Sequence, residues 1–357
     1  METEIALYEL DKEGPIEFIQ ITDTHLVEAE DGHLLGLQTA FSLDCVLNSV
    51  KTENGPFDFF VVSGDLSQDG SITSYQRLHE ELSHFAVPSF WFAGNHDDMD
   101  NMRSVAEGTE HLIPVVRSKH WQLVLLNSQV EGSVFGNLAD DQLALLEAAL
   151  KERPDLHTLI SLHHHPIDME SKWIDNIGVK NGEKLMEIAR AHQNVKCILW
   201  GHVHQDSDRI VDDIRMLSTP STCVQFTPES EDFSVDMIAP GYRWVQLNPD
   251  GSIKCIKVAV DPVWHIPKLA DAVGVGETLL RERLAQWTQN DTILDPDNKI
   301  FLPSIGGTTL YLFGDPREHG DTRNYGKAAS RRGRTCEQRW HAPTGFWSNV
   351  MLSRVAA

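Results

Sequence analysis

The sequence predicts an α/β fold, on three observations. Short apolar runs rich in β-branched and aromatic residues recur between residues 16 and 219. Segments with apolar residues at helical spacing lie between several of these runs. Clusters of Asp, Asn and His follow the runs directly, and the ends of strands are where α/β proteins usually carry their functional residues.

Seven apolar runs are candidate strands, because each is short and stops at a polar cluster. They cover residues 16–22, 57–63, 87–93, 121–127, 157–162, 195–200 and 216–219. Three helices are predicted at residues 71–85, 138–151 and 182–192. In the second of these, Leu143, Leu146 and Leu150 share one helical face, and Pro154 ends the pattern. Strands that alternate with helices indicate an α/β body.

The composition is that of a globular protein with an acidic body. Hydrophobic residues make up 41% of the 357 residues and charged residues 23%, which is enough to build a sizeable core. The 53 acidic and 30 basic side chains give a formal net charge of −23, which argues against a generally basic nucleic-acid-binding protein. Residues 263–357 hold 12 basic and 10 acidic side chains, so the negative excess lies in residues 1–262.

The cysteines and the N-terminal segment predict a cytoplasmic protein. Five scattered cysteines form no close pair, as expected of reduced thiols rather than of a disulfide framework or a zinc knuckle. The first 25 residues are acidic and lack an apolar stretch, so a secretory signal is not expected. No apolar run approaches the roughly 18 residues that span a bilayer, so no membrane partner is expected.

The polar clusters at five strand ends are the most informative feature. Each fragment alone is more often a turn or a chance pair. Together, however, the five strand ends carry only Asp, Asn and His as potential ligands, and these residues suit divalent metals. In extended backbone, residues i and i+2 point to the same side, so Asp-x-His and His-x-His are expected to reach one cavity. Glycines before three of the clusters allow close backbone approach. The clusters are Asp23-Thr24-His25, Gly64-Asp65, Gly94-Asn95-His96-Asp97, His163-His164-His165 and Gly201-His202-Val203-His204.

The order of these motifs resembles that of the calcineurin-like metallophosphoesterases. Longer stretches are similar to one branch of that superfamily, the class III bacterial 3′,5′-cyclic-AMP phosphodiesterases. The similar stretches are residues 19–25, 63–69, 163–166, 201–205 and 219–226, and the resemblance covers about residues 5–262. The sequence is thereby divided into a catalytic domain at 1–262 and a C-terminal extension at 263–357.

The resemblance implies a four-layer αββα sandwich with two divalent metal ions at the sheet edges, iron or manganese being the usual ones. Asp65 would bridge the two ions. The first metal would be held by Asp23, His25 and His204. The second would be held by Asn95, His163 and His202. Alternation along the backbone would send His164 away from His163 and His165, so His164 and His165 are expected to support the site or to pack beside it.

The implied reaction is hydrolysis of 3′,5′-cyclic AMP to 5′-AMP by a metal-bridging hydroxide, which would lower cyclic-AMP signalling. His96 is the candidate proton donor to the departing 3′ oxygen, with Asp97 or Asp69 orienting its ring. Phe226 or Trp173 would stack on a purine or, equally well, pack in the core. The expected substrate contacts are His25, Asp65, Asn95, His96 and His204.

Two other functions remain open at this point. The same ligands would serve a phosphodiesterase acting on glycerophosphodiesters or other nucleotides. The extension offers a different class of function, since residues 268–284 resemble a helix-turn-helix and Arg331, Arg332, Arg334 and Arg339 follow it. The chain would then be a DNA-binding or scaffold protein through its tail, although a helical hairpin that packs on the body or on a partner chain is favoured. Residues 318–357 have few periodic apolar positions and are expected to be poorly ordered. The sequence does not indicate the oligomeric state.

Overall fold

The computed structural model describes residues 5–236, 238–260, 308–313 and 351–356. The helices are α1 (Thr39–Glu53), α2 (Ile72–Ser83), α3 (Met99–Ala106), α4 (Asp140–Glu152), α5 (Lys172–Asp175) and α6 (Gly182–Ala191). The strands up to α4 are β1 (Leu7–Glu9), β2 (Ile16–Ile21), β3 (His33–Leu34), β4 (Leu37–Gln38), β5 (Phe59–Ser63), β6 (Ser89–Phe92), β7 (Val115–Arg117) and β8 (Trp121–Leu126). The later strands are β9 (His157–Leu162), β10 (Val195–Trp200), β11 (Ser207–Val211), β12 (Ile214–Ser218), β13 (Gln225–Phe226), β14 (Val235–Asp236), β15 (Gly241–Leu247), β16 (Ile253–Ala259), β17 (Thr308–Phe313) and β18 (Met351–Ala356).

Two sheets form the centre of the body. The larger sheet has the order β1-β7-β8-β9-β10-β12-β11, and its strands β8, β9, β10 and β12 run parallel. The smaller sheet has the order β16-β15-β2-β5-β6, in which β2, β5 and β6 are parallel. Strand β15 pairs antiparallel with β2, so the chain returns to the smaller sheet after completing the larger one.

The two sheets pack face to face through an apolar cluster. Alternate residues of the smaller sheet, including Phe18, Phe59 and Phe90, point into this interface and are fully buried. Leu159 and Leu199 of the larger sheet meet them from the other side. The intervening residues of each strand face outward onto helices, which explains why the strands read as continuous apolar runs.

Helices cover both outer faces. The face of α2 that carries Tyr75, Leu78 and Leu82 packs on the smaller sheet together with α1 and α3. The larger sheet is covered by α4 and α6, and Leu146 and Leu185 belong to that core. The αββα sandwich implied by the family resemblance is confirmed.

The predicted elements from 16 to 219 all form, with ends shifted by up to two residues. The apolar pattern of the sequence does not predict α1, nor the antiparallel pair β15 and β16. The helix-turn-helix prediction at residues 268–284 and the basic stretch after it lie outside the described residues. Within the described ranges, no helix combines the length and the apolar character needed to cross a bilayer.

Candidate metal centre

The loops that carry the predicted ligands gather at one end of the sandwich. Those after β2, β5 and β6 leave the smaller sheet, and those after β9 and β10 leave the larger one. All five follow parallel strands, so their carboxyl ends meet where the two sheets abut. Hydrogen bonds join the loops directly, since the N–H of Asp23 donates to the carbonyl of Gly64 at 3.0 Å and that of Gly201 to the carbonyl of His163 at 3.1 Å.

Asp23, His25 and His204 form the first group. Nε2 of His25 lies 3.1 Å from Nε2 of His204, and Nε2 of His204 lies 3.2 Å from Oδ1 of Asp23. The three side chains are buried, and their ligand atoms lie within 4.8 Å of one another. The remaining nitrogen of the His204 ring, Nδ1, donates to the carbonyl of Val224 at 2.7 Å, which points Nε2 into the group.

Asp65 lies between the first group and the second. Its Oδ2 is 3.8 Å from Nε2 of His25 and 3.4 Å from Nε2 of His163. Its other oxygen accepts the backbone N–H of His96 at 2.9 Å. The Asp65 carboxylate thus faces histidines of both groups, which is the position expected of a shared ligand.

The second group is formed around His163 and His202. Nδ1 of His163 donates to the carbonyl of Ser63 at 2.8 Å, which turns Nε2 toward Asp65. Nε2 of His163, Nε2 of His202 and Oδ1 of Asn95 are buried and have no hydrogen-bond partner among the described residues. Buried polar atoms that lack partners are costly, and metal ions bound at this site would offset that cost. The residues present therefore fit a pair of metal ions.

The backbone brings these side chains together differently from the expectation. Asp23, His25, Asp65, His202 and His204 all have φ between 46° and 66°, in the left-handed region. The idea that extended alternation makes residues i and i+2 converge is therefore wrong here, because the ligands lie in turns beyond the strand ends. Left-handed backbone is disfavoured outside glycine, and its concentration at the ligands is typical of functional sites.

Glycines provide the close approach that their positions predict. Gly64 has φ of 89°, and a Cβ there would overlap the His163 ring. A Cβ on Gly94 would collide with the Asp65 carboxylate and lie 2.7 Å from Nε2 of His163. Any larger residue at these two positions would displace a predicted ligand.

One carboxylate and two histidines at the site have the charge state that metal ligation requires. Burial alone would raise the pKa of Asp65, but the neighbouring His163 dominates and holds it well below the ordinary value, so the carboxylate is ionised. Burial disfavours the charged form of His163, yet Asp65 raises its pKa to about 9, so a metal ion that binds Nε2 would have to displace a proton there. Burial lowers the pKa of His25 to about 4 and that of His202 well below its ordinary value, which keeps both rings neutral.

His96, the predicted proton donor, lies exposed at the edge of the site. Its ring centroid is 5.1 Å from that of His25. Within the described part of the chain, neither Asp97 nor Asp69 is hydrogen-bonded to its ring, so that part of the expectation is wrong. Instead, the side-chain amide of Gln68 lies 3.2 Å from Nδ1. An amide N–H donated to Nδ1 leaves the proton of the neutral ring on Nε2.

The other two histidines of the triplet are buried beside the second group. The His164 side chain has Nδ1 at 2.8 Å from the Ser128 hydroxyl, and its ligand nitrogen lies within 4.8 Å of those of His163 and His202. The His165 ring stacks on His202, with centroids 5.7 Å apart. Strand β9 ends at Leu162, so the three histidines lie beyond it. The alternation of side chains along a strand therefore does not set the direction of these rings.

The comparisons with known proteins agree with this geometry. The chain is 42% identical to the 3′,5′-cyclic adenosine monophosphate phosphodiesterase CpdA of Pseudomonas aeruginosa, over 69% of this chain and 90% of the relative. It is also 42% identical to the protein of the same name from Vibrio vulnificus, over 68% of this chain and 89% of that one. The family model described as calcineurin-like phosphoesterase matches residues 16–206. The chain belongs to the calcineurin-like phosphoesterase family.

Membership in the calcineurin-like phosphoesterases implies divalent metal ions, and the two groups above are candidate sites for them. Among solved structures, GAP50, the anchor in the inner membrane complex of Plasmodium, matches with a TM-score of 0.50 at 13% identity, over 70% of this chain and 85% of that one. That likeness supports the fold. A second family model, GTP cyclohydrolase N terminal, matches residues 185–286, too small a share of the chain to assign a family.

Proposed function

We propose that the protein is a dimetal phosphodiesterase that hydrolyses 3′,5′-cyclic AMP to 5′-AMP and so lowers cyclic-AMP signalling. The observation that carries this proposal is the 42% identity to proteins named for that activity, over 90% of the length of the Pseudomonas aeruginosa protein. The convergence of the predicted ligands on one site supports it, because catalytic activity requires the ligands to be brought together.

Seven side chains would hold the two metal ions, with Asp65 shared between them. When bound, a pair of divalent ions supplies an acidified water and positive charge at the phosphoryl oxygens. Iron, manganese or both are the ions we propose, since the donors are carboxylate, amide and imidazole groups and contain no thiolate. The proposed ligands are Asp23, His25, Asp65, Asn95, His163, His202 and His204.

The protein's own groups complete the reaction. His96, with its proton on Nε2, would donate to the 3′ oxygen as it leaves the phosphorus. The fixed ligand rings and carboxylates would orient the cyclic phosphate, so that attack and departure are in line. The substrate would contact His25, Asp65, Asn95, His96 and His204.

Turnover by protein reconstituted with iron or manganese tests the proposal. We expect cyclic AMP to yield 5′-AMP and not 3′-AMP, with two metal ions per chain by elemental analysis. Cyclic GMP, bis(p-nitrophenyl) phosphate and glycerophosphodiesters serve as comparison substrates. Hydrolysis of glycerophosphodiesters with no turnover of cyclic AMP would overturn the assignment. Variant His202→Ala, which lacks a proposed ligand, is the control for contaminating activity.

A further inference from the structure

An aromatic surface extends from the metal centre to solvent. It consists of Trp173, Phe226 and Phe233, which we call the aromatic platform. The ring of Phe226 stacks on that of His204, with centroids 4.1 Å apart and planes at 13°. Trp173 and Phe233 pack edge to face against Phe226 at 5.2 and 5.3 Å. The platform is therefore in direct contact with a proposed metal ligand.

Phe233 is unusual in its exposure. Its side chain is 53% exposed, and within the described residues it is the only aromatic among the exposed large hydrophobic side chains. A phenyl ring left open to solvent beside a ligand site offers apolar area that a flat ligand would bury with a favourable free energy.

The platform is held in place by hydrogen bonds. The indole N–H of Trp173 donates to the Ser230 hydroxyl at 3.0 Å, and the backbone N–H of Ser230 donates to the hydroxyl of Ser171 at 3.2 Å. These bonds tie the loop between β13 and β14 to the short helix α5. The backbone N–H of Phe226 donates to the carbonyl of His204 at 3.1 Å, which fixes the platform to the ligand loop. A surface ordered in this way loses little entropy when a flat ligand stacks on it.

The charges around Phe233 select the kind of group that stacks there. Glu229, Glu231 and Asp232, in the same loop, are exposed and negative. They disfavour an anionic group on this loop relative to a neutral one. A nucleobase is flat, aromatic and neutral, and it stacks on phenyl and indole rings with a favourable free energy.

We propose that Phe233, supported by Trp173 and Phe226, binds the purine base of a nucleoside monophosphate whose phosphate lies at the metal centre. This inference rests on the proposed function for the identity of the substrate. The platform then determines specificity, because it distinguishes a nucleotide from a diester that has no base.

The experiment measures inhibition of bis(p-nitrophenyl) phosphate hydrolysis by the full-length, metal-loaded protein. AMP and ribose 5-phosphate are compared as inhibitors, since ribose 5-phosphate carries a hydroxyl group where AMP carries the base. We expect AMP to bind the wild type about tenfold more tightly, which corresponds to about 1.4 kcal/mol. In Phe233→Ala we expect that preference to be lost because AMP inhibits more weakly, whereas inhibition by ribose 5-phosphate is unchanged. Phe233→Trp should restore it.

Ile256→Ala is the matched control, because Ile256 is 48% exposed on β16 and lies outside the platform. Equal inhibition by the two compounds in the wild type, or an unchanged AMP preference in Phe233→Ala, would overturn the inference. A parallel loss of ribose 5-phosphate binding in Phe233→Ala would do so too, since the effect would then be on the metal centre. Failure of the wild type to hydrolyse cyclic AMP would overturn the proposed function alone, since the inhibitor comparison does not use that substrate.

Discussion

The carboxylate of Asp97 accepts a hydrogen bond from the hydroxyl of Tyr75 at 3.0 Å. The same carboxylate accepts the backbone N–H groups of Gly94 at 2.8 Å and Ser67 at 2.9 Å. Tyr75 comes from α2, and its hydroxyl in turn accepts the backbone N–H of Asp98. Asp97 therefore joins the loop that carries Asp65 to the loop that carries Asn95, although it is not itself a proposed ligand.

Substitution of Asp97 tests this positioning. In Asp97→Asn the amide nitrogen faces backbone donors, so at least one of the hydrogen bonds is lost and the two ligand loops are no longer fixed to each other. We expect lower metal occupancy and a fall in kcat of more than about tenfold, roughly 1.4 kcal/mol. Elemental analysis and steady-state kinetics measure the two effects.

Tyr242→Phe is the control for this variant. Tyr242 is also fully buried and its hydroxyl accepts from the side chain of Asn54, in a part of the smaller sheet away from the ligand loops. We expect it to lower the melting temperature and to leave metal content unchanged. If Asp97→Asn lost stability to the same degree and kept its metals, Asp97 would be a structural residue only.

Gly94→Ala adds a single methyl group and should abolish metal binding at the site. The new Cβ would lie 2.7 Å from Nε2 of His163 and collide with the Asp65 carboxylate, so both ligands would have to move. We expect loss of metal binding and a decrease in activity of about a hundredfold or more, on the scale seen when catalytic groups are displaced. Gly55→Ala, where a Cβ meets no atom within 4 Å, should retain both. A Gly94→Ala protein with normal metal content would show that the collision is relieved elsewhere.

The central strands could be predicted from the sequence because their apolar runs are continuous and end at polar clusters. The predicted strand 195–200 coincides with β10. The sequence pattern does not predict helix α1, because Thr39, Ser42 and Ser49 are buried on its inner side and interrupt the apolar stripe. Ser42 Oγ donates to the carbonyl of Thr222, a contact between residues 180 positions apart that no local pattern contains.

The candidate site was predictable in residue type and order, but not in conformation. The motif Asp23-Thr24-His25 identifies ligands, whereas the left-handed turn that makes them converge depends on hydrogen bonds to the loop after β5. Likewise, the acidic neighbours of His96 suggested Asp97 as its partner. The backbone N–H groups of Leu66 and Ser67 occupy that carboxylate, and the ring pairs with Gln68 instead.

Removal of metal ions should lower stability. Buried Nε2 of His202 and Oδ1 of Asn95 have no hydrogen-bond partner among the described residues, and ions that bind only the folded state stabilise it by mass action. We expect a chelator to lower the melting temperature and readdition of Mn²⁺ to restore it, measured by differential scanning fluorimetry. His202→Ala should show a much smaller shift. An identical shift in the wild type and His202→Ala would indicate a metal site elsewhere in the chain.

The cysteines should differ sharply in reactivity. Burial raises the pKa of the Cys45 and Cys223 thiols to about 12 and that of Cys197 further still, so these groups stay protonated and inaccessible at neutral pH. Cys255 is half-buried, with its sulfur 3.0 Å from the guanidinium of Arg215. In a Cys336→Ser background, we expect native iodoacetamide labelling followed by mass spectrometry to modify Cys255 first. Early labelling of Cys197 would show that the interface between the sheets opens.

His96 should act on the leaving group, and the choice of substrate can reveal this. Replacement by Asn removes the proton donor, and loss of general acid catalysis reduces the rate by about a hundredfold or more when the leaving oxygen is a poor leaving group. The 3′ oxygen of a cyclic nucleotide is such a group, whereas p-nitrophenolate departs without protonation. We therefore expect His96→Asn to lower kcat for cyclic AMP far more than for bis(p-nitrophenyl) phosphate. Gln68→Ala, which removes only the amide beside Nδ1, should have a smaller effect in the same direction. Elemental analysis checks that both variants retain their metals. Equal losses of kcat on the two substrates would mean that His96 acts through the metal centre and not as the proton donor.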